Sequence, residues 1–445
     1  MLKRNLLLEC DSYKLSHIGL YPKNVVGTHS YIEARKPNEI VVPFGLQMWI
    51  YNNLFNPITK QNITEYVDFA RRHGEPSYPE VFEYLLKEYR GFLPIKIMAT
   101  PEGLGEKSQQ AIVTIECNDP KLCFLPSLLE TSLLRGVWYP TTIASNGRKV
   151  KKMLNNFYNL FSDEPSTDFA YHDFSGRGNT SEESAQIGSA AHLVYFKGSD
   201  TMAGVRAANY YYNSDMAGFS VAATEHSIQC AYGPDNQKDY LEAVLNAYGH
   251  LNIVSIVLDG YDVYRESKLL CDLIKEYRAN NKLTAKIVFR PDSGNPKEVL
   301  PKILAIQEEA FGFIMNSKRQ KVIPGVGIIQ GDGVDPVLIF ELSELVTELG
   351  YAPEMVIFGS GSKLTQDVHR DDYGVAQKLS RIKLEDGSIR NVYKAPITDG
   401  GKRSKAGNQN RDAMKCVYDL INNTPTMVHY HFDEVRALAE EALSL

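Results

Sequence analysis

The run Gly218-Phe219-Ser220-Val221-Ala222-Ala223-Thr224-Glu225-His226-Ser227 sets a carboxylate beside an imidazole, behind residues too small to crowd a ligand. Histidine titrates nearest neutrality of all side chains, so it can accept a proton, donate one or attack an electrophile. A histidine in such a stretch is more often a hydrogen-bonded core residue, and the pair alone decides nothing. Other segments share its chemical character. His172-Asp173-Phe174-Ser175-Gly176-Arg177-Gly178 combines an aromatic ring, an arginine and small residues, and Arg290-Pro291-Asp292-Ser293-Gly294 puts a guanidinium and a carboxylate on one loop. Gly331-Asp332-Gly333 and Gly359-Ser360-Gly361-Ser362 are loops whose backbone N–H groups can approach a phosphate closely. Together they supply Arg177 and Arg290 for bidentate phosphate contact, and carboxylates suited to Mg2+ or ribose hydroxyls. That chemistry belongs to an enzyme acting on a phosphorylated sugar or nucleotide.

The elements that must position these loops are legible in the apolar pattern. Leu251–Leu258 ends at Asp259-Gly260, Ala285–Phe289 at Arg290–Gly294, Val326–Ile329 at Gln330–Gly333, and Met355–Phe358 at Gly359–Ser362. Helical periodicity lies between them, as in 296–312. Apolar strands alternating with amphipathic helices specify a parallel sheet buried on both faces, with the polar loops at the strands' C-terminal ends. A barrel is favoured over a doubly wound sheet, because no first strand–helix turn carries G-x-G-x-x-G and the last strand ends in a small-residue loop. The spacing predicts an amphipathic helix over 148–161 and a closing helix from Asp433 to Leu443, with Asp433 as its N-cap. Residues 1–145 read as a mixed α+β domain completed by 371–445, and 146–370 as the α/β barrel domain.

At 445 residues, 43% hydrophobic and 23% charged, the chain suits a globular protein with one barrel-sized domain and one smaller one. A net charge of −6 gives no general reason to bind nucleic acid or an anionic membrane, so phosphate recognition must rest on local Arg and Lys. The scattered cysteines, with no C-x-x-C pair, imply free thiols in a reducing cytoplasm. Leu6-Leu7-Leu8 is too short for a signal-peptide core, and Val41–Phe55 is interrupted by Pro43, Gly45 and Gln47; a cytoplasmic protein without a membrane span is expected.

Beyond these physical readings, several segments resemble the nicotinamide phosphoribosyltransferase family: Asp11-Ser12-Tyr13-Lys14, Trp138-Tyr139-Pro140, His172–Gly178, Phe196–Thr201, Ala222–Ser227, Arg290–Asn295, Gln330–Val334 and Phe358–Gly361. Order and spacing agree from Leu6 to Lys402-Arg403-Ser404-Lys405. The resemblance implies the type II phosphoribosyltransferase fold, an irregular α/β barrel beside a domain built from both chain ends, in a homodimer with active sites at the interface. It implies NAD salvage: nicotinamide joins 5-phosphoribosyl-1-diphosphate to give nicotinamide mononucleotide and diphosphate, with Mg2+ and with ATP phosphorylating His226. On that basis Phe174 and the partner subunit's Tyr13 would stack on the pyridine ring, with Ser220 and Ala223 giving it clearance. Asp200 would accept from the carboxamide. Arg177 and Arg290 would bind diphosphate and the carboxamide side, with Asp292 on ribose or, with Asp259, in the Mg2+ shell. Gly331, Asp332, Gly361 and Ser362 would hold ribose and 5′-phosphate, with Arg370 and Lys378 reaching across the interface. Glu225 and Asp259 would orient His226.

Two positions depart from the family pattern. Gly176 stands where relatives often carry tyrosine, which loosens a wall of the base pocket. Ser362-Lys363 replaces further glycines, so that Lys363 adds a phosphate contact or reseats the nucleotide. The rival assignments are nicotinate phosphoribosyltransferase, disfavoured because Asp200 would repel a substrate carboxylate, a quinolinate-type decarboxylating relative, and a catalytically silent binding protein on the same fold.

Overall fold

Caps and prolines start the barrel helices immediately after the chemically marked loops. Asn295 accepts from Lys297 N with Pro296 as the next residue, and Asp335 accepts from Leu338 N with Pro336 following. A capping side chain satisfies an orphan helix N–H, and proline loses nothing at the first helical position. Asp262 likewise caps Val263–Ala279 through Tyr264 N and Arg265 N. The loops are thereby kept short, and each strand feeds directly into its helix.

The computed structural model describes residues 4–398 and 402–445. They divide into two compact units: 1–145 with 209–214 and 368–445, and 146–208 with 215–367. Arg370, which the sequence expectation assigned to the barrel domain, thus lies in the first unit.

The second unit holds a seven-stranded sheet in the order Gly198–Ser199, Tyr171–Asp173, Val356–Ser360, Val326–Gln330, Lys286–Arg290, Ile253–Val257, Ala222–Ala223. Every pairing is parallel. A parallel bridge between Gly198 and Phe219 joins the two edges, with Ser199 N donating to Phe219 O at 3.0 Å and Phe219 N to Lys197 O at 2.7 Å. The strands therefore follow one another around an irregular barrel in chain order. Buried Val, Ile, Leu and Phe fill them on both faces, as expected for strands covered by helices.

In the first unit the sheet is antiparallel and interleaves both chain ends, in the order Ile389–Asn391, Val375–Leu384, Val25–Ala34, Ala111–Cys117, Lys96–Ala99, Lys415–Ile421, Thr424–Met427. Its core includes a buried carboxylate. Glu102 accepts from Gly45 N at 3.0 Å, Gln47 N at 2.7 Å and Tyr212 Oη at 2.6 Å. Burial raises the Glu102 carboxyl above the usual range, against the pull of these donors. Tyr212 stacks on Phe44 at 5.0 Å, which anchors the 209–214 segment in this unit.

Two sequence expectations need correction. The helix expected over 148–161 is the C-terminal half of Glu130–Phe161. Gly136 and Pro140 look like breakers, yet they are contact points: a Cβ on Gly136 would stand 2.6 Å from Trp49 Cδ1, and Pro140 Cγ lies 2.4 Å from where a Cβ on Gly45 would sit. Close packing outweighs the weak local propensity. The closing helix is Phe432–Ala442, and His431 rather than Asp433 caps it, its backbone N–H donating to Glu434 Oε2 at 2.8 Å. Buried Phe432 enters the helix as its first residue and draws the start back one turn position. Among the described residues no helix is long and apolar enough to cross a membrane.

Glu102→Gln keeps the shape but removes one acceptor from a set of three buried donors. Leaving a buried N–H unpaired costs about 1–3 kcal/mol, and the urea midpoint of the first unit should fall accordingly. An unchanged midpoint would show that the carboxylate adds nothing to the core.

Candidate active site

Each chemically marked residue sits at or just beyond the C-terminal end of a barrel strand. Phe174 follows Tyr171–Asp173, Asp200 follows Gly198–Ser199, and His226 comes three residues after Ala222–Ala223. Asp259 follows Ile253–Val257, Arg290 and Asp292 close Lys286–Arg290, Gly331 and Asp332 follow Val326–Gln330, and Gly361 and Ser362 follow Val356–Ser360. A barrel in chain order brings them to one mouth.

His226 opens the short helix His226–Ala231, with Glu225 in extended conformation at the N-cap. Its Nε2 lies 2.9 Å from Asp259 Oδ1, and the Asp259 side chain is only 3% exposed against 44% for the imidazole. A carboxylate only accepts, so Nε2 carries the proton, and in the neutral ring Nδ1 keeps the lone pair. No hydrogen bond occupies Nδ1 among the described residues. Glu225, to which the resemblance also gave an orienting role, makes no hydrogen bond to the ring among the described residues. It accepts from Ser227 Oγ and lies 3.8 Å from Arg177 Nη1, and the Ser227 bond, with Arg177, Arg290 and His226 nearby, holds its carboxyl below the usual range.

Arg290 brings a half-buried cation to the mouth. Its side chain is 13% exposed, its Nε is buried without a hydrogen-bond partner among the described residues, and its Nη2 stands 3.8 Å from Asp292 Oδ2. Burial pushes the Asp292 carboxyl up, the charges of Asp259 and Asp332 push the same way, and Arg290 and His226 oppose them. Carboxylates crowded in this way favour a cation between them. Among the described residues no group of three His, Cys, Asp or Glu closes into a metal cage. Asp259 and Asp292 instead offer the oxygen donors of a site that Mg2+ would complete with water and substrate phosphate.

The aromatic platform depends on glycine. A Cβ on Gly359 would lie 2.0 Å from Phe174 Cε2, and one on Gly331 would lie 3.0 Å from Asp292 Oδ1 and 3.5 Å from Phe174 Cε2. A Cβ on Gly178 would meet Ser362 Cβ at 2.7 Å, so the Phe174–Arg177 loop rests on the last strand's loop. Above Gly361 a Cβ would meet nothing within 4 Å, which leaves open space beside that backbone. Asp200 is exposed, its N–H donates to Asp173 O at 2.9 Å, and its Oδ1 accepts from Ser220 Oγ. Ser220 therefore orients a carboxylate, and Ala223 is exposed and makes no side-chain hydrogen bond.

At Gly176 a Cβ would be 3.2 Å from Thr201 Oγ1, so this wall is already closed by Thr201. Lys363 is not free for phosphate: its Nζ binds Asp335 Oδ2 at 2.9 Å and Gly333 O at 3.2 Å, tying two loops together. Tyr13, Arg370 and Lys378 belong to the first unit and are not on the barrel. Tyr13 is exposed, Arg370 lies 3.5 Å from Asp371, and the Lys378 ammonium is lowered by burial and by the nearby Arg35, Lys14 and Lys394.

Three positioning residues escaped the sequence argument. Buried Asp173 accepts from Ser175 N at 2.8 Å and Ser199 Oγ at 3.0 Å. Thr224 Oγ1 accepts from Val257 N at 3.0 Å, and Gln330 Nε2 donates to Asp332 O at 3.0 Å. The available signal was a polar residue ending an apolar strand, which marks a loop anchor as readily as a site.

Comparisons with known proteins converge on one group. Residues 169–424 match the Nicotinate phosphoribosyltransferase (NAPRTase) family, and residues 5–97 match the Nicotinamide phosphoribosyltransferase, N-terminal domain. The chain is 39% identical over 409 residues to the nicotinamide phosphoribosyltransferase of Xanthomonas campestris pv. campestris, covering 91% of this chain and 86% of that one. It is 28% identical over 459 residues to that of Mycoplasma pneumoniae, covering 93% and 97%. In fold it resembles human nicotinic acid phosphoribosyltransferase, with a TM-score of 0.60 at 14% identity over 98% of this chain and 93% of that one. It also resembles the nicotinate-nucleotide pyrophosphorylase of Pyrococcus furiosus, with a TM-score of 0.58 at 13% identity over 100% and 98%.

Gly359→Ala tests the aromatic platform. The added methyl must displace Phe174, so stability should drop by about 1–3 kcal/mol in chemical denaturation. Wild-type stability would mean that the ring moves aside freely and is no fixed platform.

Proposed function

Since the chain belongs to the nicotinate phosphoribosyltransferase family and begins with the N-terminal domain of nicotinamide phosphoribosyltransferases, we infer that it is a nicotinamide phosphoribosyltransferase. It transfers the phosphoribosyl group of 5-phosphoribosyl-1-diphosphate to nicotinamide, releasing diphosphate and nicotinamide mononucleotide for NAD salvage. The observation that carries the mechanism is the His226–Asp259 pair at 2.9 Å, on the same barrel mouth as Arg290, Asp292 and the exposed carboxylate of Asp200.

The pyridine ring stacks on Phe174, and Asp200 accepts a hydrogen bond from the carboxamide N–H. A carboxamide donates where a nicotinate carboxylate would meet like charge, which is the physical basis for preferring the amide. The ring nitrogen attacks the anomeric carbon as the bond to diphosphate breaks, and the transition state resembles an oxocarbenium ion. Catalysis of such a step is positioning plus neutralisation of the leaving group, which Arg177 and Arg290 provide. Asp332 with Gly331 and Gly361-Ser362 hold the ribose and its phosphate through a hydroxyl acceptor and backbone N–H groups. Asp259 and Asp292 would hold Mg2+, which when bound would supply further positive charge at the diphosphate.

ATP serves as phosphoryl donor. The Nδ1 lone pair of His226 attacks the terminal phosphorus, the bond to ADP breaks, and Asp259 stabilises the Nε2–H side of the phosphorylated ring. Tyr13, Arg370 and Lys378 complete the site from the partner subunit of a homodimer, consistent with their place outside the barrel unit.

Product analysis with nicotinamide, phosphoribosyl diphosphate and Mg2+, with nicotinate in parallel, should yield nicotinamide mononucleotide as the preferred product, from a protein that sediments as a dimer. Asp200→Asn should move the preference between the two bases towards nicotinate by about tenfold or more, equivalent to ~1.4 kcal/mol. Faster turnover of nicotinate by the wild type would reassign the chain as a nicotinate phosphoribosyltransferase. With ATP, acid-labile phosphate should appear on the wild type, be absent from His226→Ala, and form about a hundredfold more slowly in Asp259→Asn. Equal labelling of wild type and His226→Ala would remove His226 from the energy coupling.

A further inference from the structure

Gln229 is a fully buried polar side chain, 0% exposed, that no step of the proposed reaction uses. It lies one turn along the helix opened by His226, and its backbone N–H donates to Glu225 O at 3.2 Å. Its Oε1 accepts from Gly260 N at 2.9 Å, and its Nε2 donates to Gln237 Oε1 at 2.9 Å. Gln237 is buried as well, and its Nε2 donates to Gly233 O at 2.8 Å and Gln229 O at 3.3 Å.

These contacts determine which way both amides face. Carbonyl oxygens only accept, so the Gln237 NH2 must face Gly233 O and Gln229 O, and its Oε1 must face Gln229. Gln229 can then meet it only with its NH2, which leaves Oε1 for the Gly260 N–H. Reversing either amide would set donor against donor and acceptor against acceptor in a dry interior, a costly arrangement. The fit is steric as well. A Cβ on Gly260 would lie 2.6 Å from Gln229 Oε1 and 2.7 Å from its Cδ, so Gly260 is the residue that admits the clamp.

We propose that Gln229, held by Gln237, is a positioning residue for His226. It pins the Asp259–Gly260 peptide to the helix that carries the imidazole, so Asp259 Oδ1 stays on Nε2 and the neutral ring is held in its Nε2–H tautomer. Both partners of the catalytic pair thus hang from one rigid turn. The tautomer claim stands on geometry, and its effect on phosphoryl transfer rests on the functional reading above.

The test combines 15N NMR of the imidazole, assigned by the signal lost in His226→Ala, with the rate of phosphate incorporation from ATP. Wild type should show the Nε2–H tautomer. Gln229→Leu should show a mixture of tautomers and a rate lower by about tenfold or more, as for other outer-sphere hydrogen-bond partners. Within an Asp259→Asn background the same change should add less than about twofold, because a residue that acts only through Asp259 is non-additive with it. A folded Gln229→Leu protein that keeps the wild-type tautomer, or rate losses that simply multiply, would overturn the proposal. Should Gln229→Leu not fold, Gln237→Leu frees the Gln229 amide to turn and must give the same mixing; the wild-type tautomer there overturns it equally. A wild type with the Nε2–H tautomer that takes no phosphate from ATP would instead refute the phosphohistidine reading and leave the clamp standing.

Discussion

Closure of the parallel sheet is the constraint on which the rest depends. Once the edges meet through Gly198 and Phe219, seven strands end on one rim, and no chemically marked loop can face elsewhere. Beside that seam the next strand packs so closely that only glycine fits: a Cβ on Gly198 would stand 2.3 Å from His172 Nδ1. His172 fills the space, and burial holds it below the ordinary histidine range, in the neutral form suited to a closed wall.

The mouth so formed is electrostatically unfinished. Asp292 lies 3.8 Å from the guanidinium of Arg290, whose Nε has no hydrogen-bond partner among the described residues, and its carboxyl is pushed up by burial and by the charges of Asp259 and Asp332. A folded interior seldom tolerates either condition, because an unpaired buried donor and crowded like charges both cost free energy. Both are relieved by a ligand that is anionic toward the arginine and brings a cation to the carboxylates. The phosphoribosyl diphosphate of the proposed reaction, with Mg2+, would have that character. In the surrounding shell, by contrast, Asp173, Thr224, Gln229 and Gln330 are spent on holding loops. Rigid support around an unsatisfied centre is the arrangement that preorganised catalysis requires.

Much of this was legible in the residue pattern. The strand ends at Asp259, Arg290, Gly331 and Gly359 follow from apolar runs of strand length, and the fold class follows from their alternation with helices. The 130–147 stretch was not legible as helix, because Gly136 and Pro140 argue against one locally and only Trp49 and Gly45, distant in sequence, supply the contacts that override them. The cap at His431 was hidden for the same reason: Asp433 is the better cap by type, but Phe432 must be buried within the first turn.

The amino-acid sequence by itself determined the chemistry available: which strands end in glycine, arginine or aspartate, and that a histidine stands among them. Those are properties of residue type and spacing along the chain. Only the tertiary structure decided which carboxylate serves the histidine. Glu225 is adjacent in sequence, yet its position at a helix cap turns it towards Ser227 and Arg177. Asp259, thirty-three residues away in the chain, meets the imidazole at 2.9 Å, because neighbouring parallel strands bring their ends together whatever the length of helix between them.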